Sequence, residues 1–251
     1  MTRKAVKRST PAGPAPKVIL CVGLKSSGST WLYNVVIQLL KEKYGSGVGA
    51  FYADNFAMFP PDTERARILV IKAHEPSKGL VYLARVTRGE IFLTLREPRD
   101  AIASLMQRFE HGFDGALKEV ARHSARIVEL DRDEAMTTYR YEDGFFDRVE
   151  TIGEIATALG IKVGRAAQLR IYQGLTRDGV RQTIGKLQKT GRFGKKPDAN
   201  SFDLETQWHP GHVGDGKIGK FSGVLSSAQQ KKILSVTPAY AKRFGYLSRK
   251  K

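Results

Sequence analysis

The chain has 251 residues, 42 Lys and Arg against 25 Asp and Glu, a formal net charge of +17 and a single cysteine. One cysteine excludes an intrachain disulfide framework, no apolar run reaches the ~20 residues of a membrane span, and no signal-like apolar stretch follows the basic start. What remains is a globular chain, expected to be soluble and cytoplasmic, whose charge favours anionic partners: nucleic acid, an anionic cofactor, acidic glycans or a membrane surface.

Residues 1–17, "MTRKAVKRSTPAGPAPK", hold basic residues and prolines but no acid, and read as a disordered basic arm. Residues 18–247 read as one α/β domain and 248–251 as a basic tail. The run "VILCV" at 18–22 predicts a buried strand, with Cys21 as a small buried hydrophobe. Further strands are expected at "RILVIK", "EIFLTL" and "TTYRY". Helical spacing occupies 31–43, 101–110, 116–130 and 145–159. This alternation predicts a mostly parallel sheet flanked by helices, with ligands bound beyond the carboxyl ends of the strands. The Gly-, Lys- and Asp-rich segment 177–220 reads as a long mobile loop or lid. A final helix is expected over "SSAQQKKILSVTPAYAKRFGY", broken or kinked at Pro238.

Polar groups follow three of the strands: "GLKSSGST", "KAHEP" and "REPRD". In the first, Gly23 and Gly28 bracket a turn that leads into a helix at Thr30. Successive N–H groups in such a turn, followed by a helix N-terminus, make an anion nest. Ser26, Ser27, Ser29 and Thr30 add hydroxyls and Lys25 adds one charge. The layout is close to a nucleotide-binding P-loop, but Ser29 stands where that loop carries its lysine, and no acidic residue ends the third strand.

At these residues the sequence resembles the sulfotransferases that use 3′-phosphoadenosine 5′-phosphosulfate (PAPS) and release adenosine 3′,5′-bisphosphate (PAP). Their first loop runs K-S-G-T-T-W. "KSSGSTW" is similar, with the lysine one place early at Lys25, and the resemblance sets Trp31 against the adenine. "REPRDAIAS" matches R-[DN]-P-[RK]-D-x-x-x-S, which implies that Arg96 and Ser104 hold the 3′-phosphate. A guanidinium fork suits that task, and such charge-assisted bonds contribute roughly 1.5–3 kcal/mol each. "KAHEP" resembles K-T-H-x-P, which implies His74 as the general base and Lys72 beside the sulfonate, with Glu75 a weaker candidate base. "YED" at 141–143 implies Tyr141 near the adenine. "DGKIGKFSGVLSSAQQKK" resembles the C-terminal nucleotide-binding stretch through Gly216, Gly219, Phe221 and Gln229. There the usual Arg-Lys pair is replaced by Gly214 and Asp215, leaving Lys217, Lys220 and His212 as candidate substitutes. The animal cytosolic dimer motif is absent, so no oligomeric state is implied.

The resemblance spans about 18–235 and implies a P-loop NTPase-like fold with Lys25 assisting catalysis. The five His are scattered and no metal is expected. The acceptor is open: a small molecule, glycan or lipid, made anionic if the basic residues Arg181, Lys186, Lys189, Arg192, Lys195 and Lys196 cap its pocket. No stable nucleic-acid partner is expected. Three alternatives stand beside this reading: a P-loop kinase or NTPase, a basic nucleic-acid-binding protein, and a sulfotransferase relative that has lost activity.

Overall fold

A computed structural model describes residues 15–109, 112–133, 135–194 and 201–247. The expected N-terminal arm up to residue 14, the tail at 248–251, His111, Lys195 and Lys196 lie outside the described residues. Five strands form one all-parallel sheet: β1 (Lys17–Gly23), β2 (Val48–Tyr52), β3 (Ile68–Ala73), β4 (Ile91–Leu95) and β5 (Thr137–Arg140), in the order β2-β3-β1-β4-β5. β1 is therefore central, with Cys21 opposite Lys72 on β3 and Gly23 opposite Thr94 on β4.

Successive side chains of a strand point to opposite faces, and β1 divides its apolar run accordingly. Val18, Leu20 and Val22 join one core, while Ile19 and Cys21 join the other. Burial drives the Cys21 thiol far above its ordinary range, leaving an inert thiol in the core. The second core is closed by helix α1 (Ser29–Tyr44), and the first by α2 (Lys78–Val86), α3 (Pro98–Phe109) and α4 (Phe113–Asp133). Helices α5 (Glu150–Ala158), α6 (Arg165–Leu175) and α7 (Arg177–Lys189) extend the α1 side. α8 (Phe221–Val224), α9 (Ser227–Val236) and α10 (Pro238–Arg243) complete the described chain. The chain runs from β1 outward to β2, back to β3, and then across to β4. That reversal puts the crevice of a parallel sheet at the carboxyl ends of β1, β3 and β4.

Several expectations shift. Strand β2 has no counterpart among the expected strands, because "VGAFY" is short and only Val48 and Phe51 are buried. Segment 177–220 does not begin as a mobile loop: residues 177–189 form α7, seated through Val180 and Ile184 four positions apart. The 145–159 helix opens as a short 3-10 turn, Phe145–Asp147, and becomes regular only at Glu150. α6 was not anticipated. The final helix does break at Pro238, which starts α10, where its missing N–H costs nothing.

Candidate active site

A cavity of about 570 Å³ lies over these strand ends. Its floor is the turn after β1. Gly28, in the left-handed conformation at φ 82°, caps α1, and Ser26 is also left-handed at φ 64°. Lys25, Ser26, Gly28, Ser29, Thr30 and Trp31 line the cavity. The first-turn N–H groups of α1 have no intrahelical acceptors, as at any helix start, and add a positive dipole end. The buried Oγ of Ser26 has no hydrogen-bond partner. Ser27 points the other way. Fully buried, it donates to the Leu24 carbonyl at 2.6 Å and meets Thr94 Oγ1 at 2.6 Å, so it braces the turn from beneath and does not line the cavity. Lys25 reaches the rim, where Glu119 Oε2 of α4 holds its Nζ at 2.9 Å. The Trp31 indole N–H donates to the Leu175 carbonyl at 3.0 Å, which fixes its ring along one wall.

Lys72 and His74 stand at the end of β3, both buried. Asp54 anchors this turn by accepting the backbone N–H of His74 at 2.9 Å and of Glu75 at 2.7 Å. The His74 ring stacks on His123, with centroids 5.2 Å apart, and its Nδ1 lies 2.6 Å from the Gly23 carbonyl oxygen. A carbonyl only accepts, so Nδ1 carries the proton and Nε2 keeps its lone pair, 3.4 Å from Lys72 Nζ. Burial, followed by the Lys72 charge, holds His74 well below the ordinary histidine range. Burial and the nearby Lys25 charge bring Lys72 down to about 8. Glu75, the reserve base, is turned toward Arg122 at 2.5 Å and does not line the cavity.

Arg96, at the end of β4, is almost fully buried and lines the same cavity. It donates to the Ser26 carbonyl at 2.7 Å and to the Lys217 carbonyl at 3.1 Å, and its face lies 3.9 Å from the Tyr141 ring centre. Its buried Nε has no partner. Ser104, buried on α3, and Tyr141 also line the cavity. The intervening Asp100 is structural: it accepts the N–H groups of Gly219 at 2.6 Å and Phe221 at 3.0 Å, pinning the C-terminal loop to α3. Gly216 lines the cavity, but the exposed Lys217 does not and contributes only its carbonyl. Lys220 lines it while paired with Asp215 at 3.0 Å.

The sequence reading missed Arg108, Arg177, Trp208 and His209, which also line the cavity. Arg108 had a signal: it lies four residues after Ser104 and so shares its helix face. The basic lid residues do not fulfil their expected part. Arg181, Lys186 and Lys189 lie off the cavity, and Arg192 pairs with Asp203 at 2.6 Å. The cavity lining also carries the apolar side chains of Met58, Leu105, Phe109, Phe202, Trp208 and Val213.

This five-stranded all-parallel sheet flanked by helices is the sulfotransferase fold, as the likeness to solved structures shows. No protein-family profile matches the sequence, and no curated protein matches it significantly. Among solved structures, mouse sulfotransferase SULT7A1 complexed with PAP superposes with a TM-score of 0.60 at 14% identity, covering 92% of this chain and 85% of that one. Retinol dehydratase in complex with retinol and PAP gives 0.58 at 14%, covering 92% and 83%. The same enzyme with androsterone and PAP gives 0.59 at 14%, covering 92% and 82%. A shared fold hosts more than one chemistry, so function must be argued from the side chains.

Proposed function

We propose that this protein is a sulfotransferase that moves the sulfonate of PAPS to a hydroxyl or amine of a small acceptor. One observation carries the reading: a lone-pair-bearing His74 Nε2, the Lys72 ammonium, the α1 N-terminal turn and Arg96 converge on one cavity. The residues present suit a nucleotide with phosphates at both ends. Ser26 Oγ and Arg96 Nε are buried donors without partners. Lys25, Ser26, Ser29, Thr30 and the adjoining N–H groups would hold the 5′ side, Arg96 and Ser104 the 3′-phosphate, and Trp31 and Tyr141 the base. PAPS supplies an activated sulfonate. His74 takes the acceptor proton at Nε2, and Lys72 offsets negative charge that gathers as the sulfonate leaves. No metal is invoked.

The apolar side chains that line the cavity favour an acceptor with a hydrophobic body, such as a phenol or lipid alcohol, over an acidic glycan. The kinase reading lacks the loop lysine it needs, and the described aromatics sit in the core and cavity more than on a nucleic-acid surface. Among the described residues, no helix is long and apolar enough to cross a membrane. The test is transfer of labelled sulfonate from PAPS to two acceptor panels, one of phenols and apolar alcohols and one of acidic glycans. Labelled product from the first panel is expected. No product from either would refute the activity, and product from the glycans alone would refute the acceptor class.

A further inference from the structure

The most conspicuous departure from the sulfotransferase pattern is the missing Arg-Lys pair at 214–215, and the three substitutes open to the sequence do not fit. Lys217 points away from the cavity. Lys220 is held by Asp215. His212 stays neutral, because burial and the neighbouring His209 hold it well below the ordinary histidine range.

We propose that Arg108 and Arg177, from two separate helices, replace that pair and with Arg96 form the site for the nucleotide 3′-phosphate. This inference rests on the sulfotransferase reading above.

Two glycines face the two arginine side chains. A Cβ at Gly214 would lie 3.2 Å from Arg108 Cδ, and a Cβ at Gly216 would overlap the Arg177 guanidinium. Gly214, which breaks the pattern, thus leaves room beside Arg108, and Gly216, which keeps the pattern, leaves room for Arg177. Arg108 reaches in from the Ser104 face of α3, and its Nε donates to the Gly211 carbonyl at 3.2 Å. Arg177, the first residue of α7, donates to the Asp215 carbonyl at 3.0 Å. A cation at a helix start opposes the dipole, so this position is not explained by helix stability.

All three arginines line the same cavity as Tyr141, and the Arg96 guanidinium lies 3.9 Å from the centre of the Tyr141 ring. Its hydroxyl, raised chiefly by burial, is pulled back by Arg96, Arg108 and Arg177 together. Asp147 lies 3.9 Å from the Arg177 guanidinium, and Asp215, paired with Lys220, also acts on the Arg108 charge, so two carboxylates adjoin the cluster. Burial and the Arg96 charge bring Arg108 down to about 10. Like charges held together in a half-buried space are relieved by a dianion, and a phosphate accepts arginine forks bidentately.

Calorimetric titration of PAP and of AMP into the full chain and into Arg108→Gln and Arg177→Gln decides the matter. Wild type is expected to prefer PAP. Each variant should lose roughly tenfold or more in PAP affinity while AMP affinity stays within about threefold. Should Arg108→Gln fail to fold, Arg108→Lys takes its place, since losing the fork still weakens PAP more than AMP. Variants that keep the wild-type preference, or lose both nucleotides equally, overturn the assignment and leave the sulfotransferase reading standing. A wild-type protein that does not distinguish PAP from AMP overturns that reading itself, and this inference with it.

Discussion

The His74 Nδ1 proton is donated to the Gly23 carbonyl oxygen at 2.6 Å, tying the turn after β3 to the end of β1. This bond decides the tautomer: the lone pair sits on Nε2, which faces the Lys72 ammonium at 3.4 Å. Replacing His74 by Ala should lower sulfonate transfer by about 10²–10⁴-fold, the usual worth of a positioned base. PAP affinity should stay within about threefold, since the phosphates are held by other groups. Initial rates with titration calorimetry on the same preparation test this. Transfer at near wild-type rate would mean that the acceptor needs no base from the protein.

Lys72 sets a pH limit. Its ammonium is brought down to about 8, whereas His74, held well below the ordinary range, is already neutral near pH 7. The charge on Lys72 is therefore full below about 8 and is lost as the pH rises through that value. kcat/KM, which reports groups of the free enzyme, should fall on the alkaline side with a midpoint near 8. Lys72→Arg, which cannot lose its charge in this range, should move that limb to higher pH even if it lowers the plateau. An unchanged limb in the Arg variant would assign it to another group.

The parts of the site that were legible in the sequence are those written in one continuous stretch. "REPRDAIAS" places Arg96 and Ser104 on one cavity because a strand end and the first turns of a helix fix their spacing. "KAHEP" brings Lys72 and His74 together for the same reason. Ser26 and Ser27 could not be told apart, because the left-handed turn at Ser26 sends neighbouring hydroxyls to opposite sides. Arg177 was illegible: it enters the cavity through space left by Gly216, far along the chain. Helix α7 was hidden by its own composition, since Gly179 and Gly185 interrupt a mostly polar segment with few apolar residues. Charge also misled. Counting basic residues from 177 onward gave a cationic lid, but a count has no direction, and three of those side chains point away from the cavity.

Those two serines yield opposite expectations. Ser27→Ala removes the donor to the Leu24 carbonyl and the partner of Thr94 Oγ1, both buried. Denaturant unfolding should show a loss of about 1–3 kcal/mol, with PAP affinity of the folded protein nearly unchanged. Ser26→Ala removes a hydroxyl that has no partner among the described residues. It should change stability by less than about 0.5 kcal/mol and weaken PAP. The reverse pattern would show that the loop presents its other side to the ligand.

Glu119 holds the Lys25 ammonium, which on the proposed reading would serve PAP. Their ion pair at 2.9 Å is about one-third exposed on the lysine side, with 32% and 27% of the two side chains accessible. Such a pair contributes about 0–1 kcal/mol to stability, so losing it costs the fold little. It does hold the Lys25 charge back from the cavity that the residue lines. Glu119→Gln should therefore tighten PAP by a few-fold, whereas Lys25→Ala should weaken it. In the Lys25→Ala background, Glu119→Gln should have almost no effect, because the carboxylate then has no lysine to withhold. A similar gain in both backgrounds would mean that Glu119 acts as a distant negative charge, and that Lys25, one place early in the loop, is not the group it restrains.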